Sequence, residues 1–355
     1  MPRWALAAPL VAVVLLAVAL LLPPSTVIAL LCAPALIGAV LAAVHHAEVV
    51  AHRVGEPFGT LVLAVAVTVI EVALIVSVML TGGPDKAALP RDTIFSAIMI
   101  ICNGVVGVCL LVGGLRHHEQ TFHLGGANSA LAALIALSTL SLVLPAFTTS
   151  SPGPTYTAAQ LSFAAIASLS LWAVFVFFQT VSHRDYFLPP DDPADEESHA
   201  APPSVRAAWM GFGMLLVALI AVVGLAKILS PSIESGVAAA GAPKAVIGIA
   251  IALLVLLPET WAAVRAARAN RLQTSLNLAL GSALASIGLT IPVVALASVL
   301  LELPLVLGLD AKELVLLALS FIVGSITLVS GRTNMLQGAV HLAIFAAFLF
   351  LALVP

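Results

Sequence analysis

This sequence predicts an all-α polytopic membrane protein of about eleven transmembrane helices, built as two inverted five-helix repeats behind an N-terminal helix. Three observations predict it. Of 355 residues, 61% are hydrophobic and only 9% are charged, against about 25% charged in a soluble domain. The apolar residues gather into runs of roughly 20, the length that crosses a ~30 Å hydrocarbon core. Between the runs stands turn chemistry: Pro23-Pro24, Gly82-Gly83-Pro84, Pro152-Gly153-Pro154 and Ser230-Pro231. The net charge of −3 offers no basic surface for nucleic acid.

The first run, about 5–22, follows Met-Pro-Arg-Trp; with no cleavage site before the next run it is read as a retained helix. Further spans are expected at about 25–44, 57–81, 93–114, 124–146, 157–181, 208–230, 245–265, 274–301, 312–329 and 333–354. The second is closed by a polar group, His45, His46, Glu48, His52 and Arg53. After the sixth comes a proline-rich acidic stretch holding Asp191, Asp192, Asp195, Glu196 and Glu197, read as a solvated cytosolic linker. The chain therefore divides into an N-terminal helix (1–24), a first repeat (25–182), the linker (183–206) and a second repeat (207–355).

Orientation follows from the basic residues. With the N-terminus inside, the inner loops hold Arg3, Arg53, Arg116, Arg184, Arg206, Arg265, Arg268, Arg271 and Arg332, and the outer loops hold Lys86, Arg91, Lys227, Lys244 and Lys312. That bias predicts a cytoplasmic N-terminus in a bacterial inner membrane. Helices 2–6 and 7–11 make two sets of five, and an odd number inverts the second set relative to the first, the common plan of secondary transporters.

Two carboxylates lie inside apolar spans, Glu71 in helix 3 and Glu259 in helix 8. A charge at mid-bilayer costs at least ~3 kcal/mol on insertion scales, so such residues mark function. Each sits about 14 residues into its span, ~21 Å at 1.5 Å per residue, and the inversion brings the two to one central region from opposite sides. No Lys or Arg lies near the middle of a span to pair with them, which leaves cations and protons. Carboxyl groups sharing a low-dielectric site hold protons unless a cation replaces them. One Ca2+ and up to two protons then compete for the same oxygens, the physical basis of antiport. Calcium takes six to eight oxygens at ~2.3–2.6 Å, more than two carboxylates supply.

The other oxygens are sought on the same faces. Thr68 lies one turn before Glu71, and Thr60 is on that face too. Asn103 stands in helix 4; Asn277, Ser282 and Ser286 stand in helix 9. Pro258 breaks a hydrogen bond one turn earlier, freeing a carbonyl near Leu254 or Val255. His45, His46, Glu48 and Glu56 form a candidate proton-access group, since histidine titrates near neutral pH. His341 is read as a satisfied core histidine. Cys32, Cys102 and Cys109 sit in apolar runs and are read as core residues. Glu302, Asp310, Glu313, Asp85, Asp92 and Glu234 place acids at outer loop ends, where they could draw cations.

At these residues the chain resembles the calcium/proton antiporters of the cation/calcium-exchanger superfamily, ChaA type. The resemblance covers nearly the whole chain. It rests on Gly55-Glu-Pro-Phe-Gly-Thr through Glu71, Gly113-Gly-Leu-Arg-His-His-Glu-Gln-Thr-Phe122, the acidic linker, Pro258-Glu259, Asn277-Leu-Ala-Leu-Gly-Ser282 and Ser330-Gly-Arg-Thr-Asn-Met-Leu-Gln-Gly338. It implies eleven helices, inverted repeats and Glu71 and Glu259 as the cation and proton carriers. The family's usual asparagine three residues before each acid is replaced by Thr68 and Leu256, and its helix 9 glutamine by Ala285. A site with fewer oxygens leaves room for Na+ or K+ beside Ca2+.

The expected function is a secondary antiporter exporting Ca2+, with Na+ or K+ as further cargo, in exchange for H+. The alternatives are a Na+ or K+/H+ antiporter with little calcium transport, and a non-transporting membrane sensor. A channel would need a continuous polar stripe that these helices lack. With no P-loop and no large soluble domain, neither an enzymatic reaction nor a cofactor is expected; the partners are membrane lipid and the transported cations, with a homo-oligomer left open.

Overall fold

The computed structural model describes residues 2–23, 25–55, 58–82, 86–188 and 203–354. Among them are eleven helices long and apolar enough to cross a membrane. In chain order these are α1 (Arg3–Leu21), α2 (Thr26–Val54), α3 (Phe58–Gly82), α4 (Leu89–His117), α5 (Leu124–Ala146), α6 (Ala158–Ser182), α7 (Val205–Ala239), α8 (Ala245–Arg268), α9 (Leu272–Leu300), α10 (Ala311–Leu328) and α11 (Met335–Leu353). The chain is a multi-pass membrane protein.

Polar residues at the helix starts satisfy backbone N–H groups that the helix itself cannot. Ser25 accepts from the N–H of Ile28, and Ser204 from that of Ala207. Thr157 with Gln160, Asp310 with Glu313, and Asn334 with Gln337 make reciprocal caps on α6, α10 and α11.

Three features depart from the expected elements. Helix α2 runs on to Val54, about ten residues past the expected end. The histidine group lies within it, because His46 is buried and its Nε2 meets the Ala5 carbonyl at 2.8 Å. Helix α7 continues through Ser230-Pro231 to Ala239; Ser230 donates to Glu234 in the next turn, and Lys86 pairs with that same carboxylate. The third is a two-stranded antiparallel ladder, β1 (Glu119–Thr121) with β2 (Arg332–Asn334), in register Gln120↔Thr333. It joins the α4–α5 and α10–α11 connections, and Gln120 reaches across to the Ala267 carbonyl and the Asn270 side chain at the end of α8.

Helix pairings recur between the two sets of five with the partners exchanged. Helix α3 packs on α9 as α8 packs on α4, α6 on α9 as α11 on α4, and α2 lies along α7. The apolar cores cut across the two sets. One joins α1, α2, α3 and α7, with Val255 of α8. The other joins α4, α5, α6, α8, α9, α10 and α11. The site lies in the seam between these cores.

Close backbone approach fixes α4 against α11. A Cβ on Gly338 would strike the backbone N of Leu111 and the Gly107 carbonyl, and one on Gly114 would strike the backbone of Met335. Without a water-driven force between helices in lipid, contact at small residues holds such a pair.

Candidate functional site

A cavity of about 360 Å3 opens in the seam, with Glu71 and Glu259 both in its lining. Helix α3 supplies Leu63, Ala64, Val67 and Thr68; α9 supplies Thr274, Asn277, Gly281, Ser282 and Ala285. A side chain at Gly281 would meet open space, so its absence widens the cavity. From the glutamates the cavity runs past Gln179 and Thr180 at the end of α6 to Arg184 and Leu188, both exposed, on the side from which the linker leaves.

The opposite end is shut. Ile75 and Met79, one and two turns beyond Glu71, pack with Val294 of α9 into a small apolar plug backed by Leu303 and Leu305. At that surface Arg91 bonds Asp92 at 2.9 Å and the Gly308 carbonyl at 2.9 Å, and its Nη2 lies 3.7 Å from Asp310. Among the acids expected to draw cations, Asp92 is thus ion-paired with the adjacent Arg91, Asp310 with Arg91, and Glu234 with Lys86. Asp85 lies outside the described residues.

The two glutamates are held differently. Glu71 is buried, and the Ser286 hydroxyl lies 2.7 Å from one of its carboxyl oxygens and 2.8 Å from the other. Glu259 is partly buried, and its Oε2 is enclosed with no hydrogen-bond partner among the described residues. A buried polar atom without a partner is costly, and a cation or a proton arriving through the cavity would satisfy it.

Thr68 lines the cavity while its hydroxyl donates to the Ala64 carbonyl of its own helix at 2.9 Å, which leaves its oxygen lone pairs to face the space. Ser282 lines it too. Asn277 also lines it but is spent locally: its Nδ2 donates to the Phe187 carbonyl at 2.6 Å and its Oδ1 accepts from Gln273 at 2.8 Å. It pins the chain leaving α6 to the first turns of α9, and so shapes the mouth.

Asn103 is not part of the cavity. Asn103 and Ser286 occupy equal places in α4 and α9, each 14 residues after the first (103 − 89 = 14; 286 − 272 = 14). Ser286 turns to Glu71, whereas Asn103 turns away from Glu259. It lies on a wider-wound π segment, 100–105, donates to Ser320 at 2.8 Å, and accepts from His341 Nδ1 at 3.3 Å. His341 Nε2 in turn accepts from Thr327 at 3.0 Å, the satisfied core histidine expected. Removing the Ser286 hydroxyl is therefore expected to weaken cation affinity about tenfold, the order of one hydrogen bond to a charged group. Asn103→Ala is expected to lower thermal stability with a smaller effect on affinity. Equilibrium cation binding and a melting curve on each variant check both.

The carbonyl expected to be freed by Pro258 is not in the lining either. Helix α8 is continuous through Pro258, Val255 is packed in the core, and the residue that lines the cavity, Leu256, has its carbonyl bonded by Thr260 at 2.7 Å. In the proton-access group, His45 Nδ1 lies 3.9 Å from Glu48, which is exposed on α2. His46 is tied to α1 instead. Glu56 and the Thr60 side chain lie outside the described residues.

Three polar lining residues went unnoticed in the sequence, Gln179, Thr180 and Thr274, and a fourth, Arg184, was counted only among the inner-loop basic residues. The signal was a Gln-Thr pair at the end of an otherwise apolar sixth span. Among the described residues no three His, Cys, Asp or Glu side chains gather around one point, so a cation here would draw its remaining oxygens from hydroxyls, carbonyls and water.

Comparison with known proteins agrees with this architecture. A family model described as "Sodium/calcium exchanger protein" matches residues 24–181 and 210–354. The Sinorhizobium fredii protein y4hA, named for ionic transport, is 51% identical over 100% of this chain and 97% of its own. The sodium-potassium/proton antiporter ChaA of Escherichia coli is 37% identical over 92% of this chain and 89% of its own. Among solved structures, native YfkE superimposes with a TM-score of 0.75 at 18% identity, over 99% of both chains.

Proposed function

The chain belongs to the sodium/calcium exchanger protein family, and on that premise we propose that it is a membrane cation/proton antiporter in which Glu71 and Glu259 are the groups for which cation and proton compete. The observation that carries the mechanism is that both carboxyl groups line one cavity, open on the linker side and plugged on the other. A transporter must expose its site to one side at a time, and this geometry is that of a state open to the linker side. The basic-residue bias supports a cytoplasmic linker and N-terminus in the plasma membrane of a bacterium.

The cargo is Ca2+ together with Na+ and K+. Thr68, Ser282 and water would complete a coordination sphere that two carboxylates begin, and few fixed oxygens suit an ion range wider than calcium alone. The cation replaces the protons in the inward-open state; when the plug side opens, protons from outside displace it. No covalent chemistry is involved. Protons reach Glu259 by way of Glu48, exposed on α2, a reading supported by the packing of α2 against α8.

Proton flux in vesicles containing the purified chain, driven in turn by Ca2+, Na+ and K+ gradients, tests the reading. Each of the three is expected to release protons from acid-loaded vesicles. No flux with any of them would overturn it.

A further inference from the structure

Thr290 is fully buried on α9, and its hydroxyl has no hydrogen-bond partner among the described residues. Other buried hydroxyls of the bundle satisfy themselves. Those of Thr68, Ser77, Thr93, Ser96 and Ser138 each donate to the carbonyl four residues earlier in their own helix. The Ser286 carbonyl holds that place before Thr290, and Thr290 makes no bond to it. An orphaned hydroxyl in a dry interior is costly, and a valine would fill nearly the same space without the cost.

The position of this hydroxyl gives it a use. Residues 286, 290 and 294 follow one another at single turns of α9 and so lie on one face. Ser286 reaches Glu71 of α3, and Val294 packs with Ile75 and Met79 of α3 in the plug. Thr290 lies between these two contacts, about 6 Å along the axis from Ser286 at ~1.5 Å per residue. It carries the first side-chain oxygen of α9 beyond Ser286 toward the plug, and residues 72–76 of α3, Val-Ala-Leu-Ile-Val, carry none.

We infer that Thr290 forms, with the Glu71 carboxylate, an outer position for the transported cation, occupied when the plug side opens. This inference rests on the antiport reading above and adds a second binding position to it. A cation leaving the glutamates outward meets Ile75, Met79 and Val294, which offer it no oxygen. Losing its ligands before water can replace them would raise the barrier to release. A hydroxyl oxygen one turn further on shortens that gap, and oxygen is the ligand that Ca2+ and the alkali cations take. A hydroxyl not committed to its own helix can turn its hydrogen away from the ion and present its lone pairs.

The test uses the full chain in vesicles of both orientations. Half-maximal concentrations of Na+ and Ca2+ are read from proton-coupled flux with the cation bath on the plug side and then on the linker side. For Thr290→Val the plug-side values are expected to rise about tenfold, the order of one oxygen contact to a charged group, and the linker-side values to stay within about twofold of wild type. Thr290→Ser keeps the hydroxyl and is expected to match wild type on both sides. Thr290→Val is expected to melt at or above the wild-type temperature, since it removes an unsatisfied group. Equal shifts on the two sides, no shift on either, Thr290→Ser behaving as Thr290→Val, or a Thr290→Val melting temperature well below wild type would each overturn the outer position. A wild-type chain with no cation-dependent proton flux would instead overturn the antiport reading itself.

Discussion

Replacing Glu71 or Glu259 by Gln is expected to abolish cation-driven proton release. The amide keeps the shape of the side chain but can neither carry the exchanged proton nor present an anionic oxygen. Losing one partner of a buried charged contact costs about 3–5 kcal/mol, and each variant should therefore fall at least ~100-fold in exchange rate at subsaturating cation. The two should differ in how they fail. In Glu71→Gln the amide retains a hydrogen bond with Ser286, so the folded protein should melt close to wild type. In Glu259→Gln an amide replaces a carboxyl whose Oε2 has no partner among the described residues, so stability should again be kept. Exchange rates and melting curves measured side by side decide it: near-wild-type exchange by either folded variant would refute the shared-carboxylate mechanism.

The second large effect concerns folding. Gly338→Val is expected to force α11 off α4, because the contacting atoms are backbone, the Leu111 nitrogen and the Gly107 carbonyl, and cannot repack as a side chain would. Overpacking of this kind costs ~1–3 kcal/mol where side chains can move, and here the cost should lie at the top of that range or above it. Purified Gly338→Val should melt several degrees below wild type or fail to accumulate. Gly213→Ala, where a Cβ would meet nothing, is the control and should melt as wild type does.

The helices and the pair of glutamates were legible because both depend on composition along one segment. An apolar run of 20 residues reports its span whatever surrounds it, and a carboxylate within it stands out against that background. What was misplaced depends on helix rotation and tertiary pairing. Asn103 occupies the same place in α4 that Ser286 occupies in α9, and spacing alone treats them alike. The π segment at 100–105 turns Asn103 toward Ser320 and His341, and no periodicity rule foresees it. Ser230-Pro231 read as a break because proline usually ends a soluble helix, yet α7 continues through it, as transmembrane helices tolerate once neighbours satisfy the freed groups. The β1–β2 ladder escaped notice because three residues per strand are too few to show alternation.

The bond from Ser286 to Glu71 spans 215 positions of the chain. A ribosome adds roughly 5–20 residues each second, so for about 10–40 s after α3 emerges its partner on α9 does not exist. During biosynthesis the first glutamate must cross into the bilayer alone. Glu259 faces a lighter task, since α4, on which α8 packs, has been made before it. The spans fit this order: α3 is as apolar as any in the chain, and α8 is less so. The apolar residues of α3 offset the cost of inserting that carboxyl group during the interval in which it has nothing to bond.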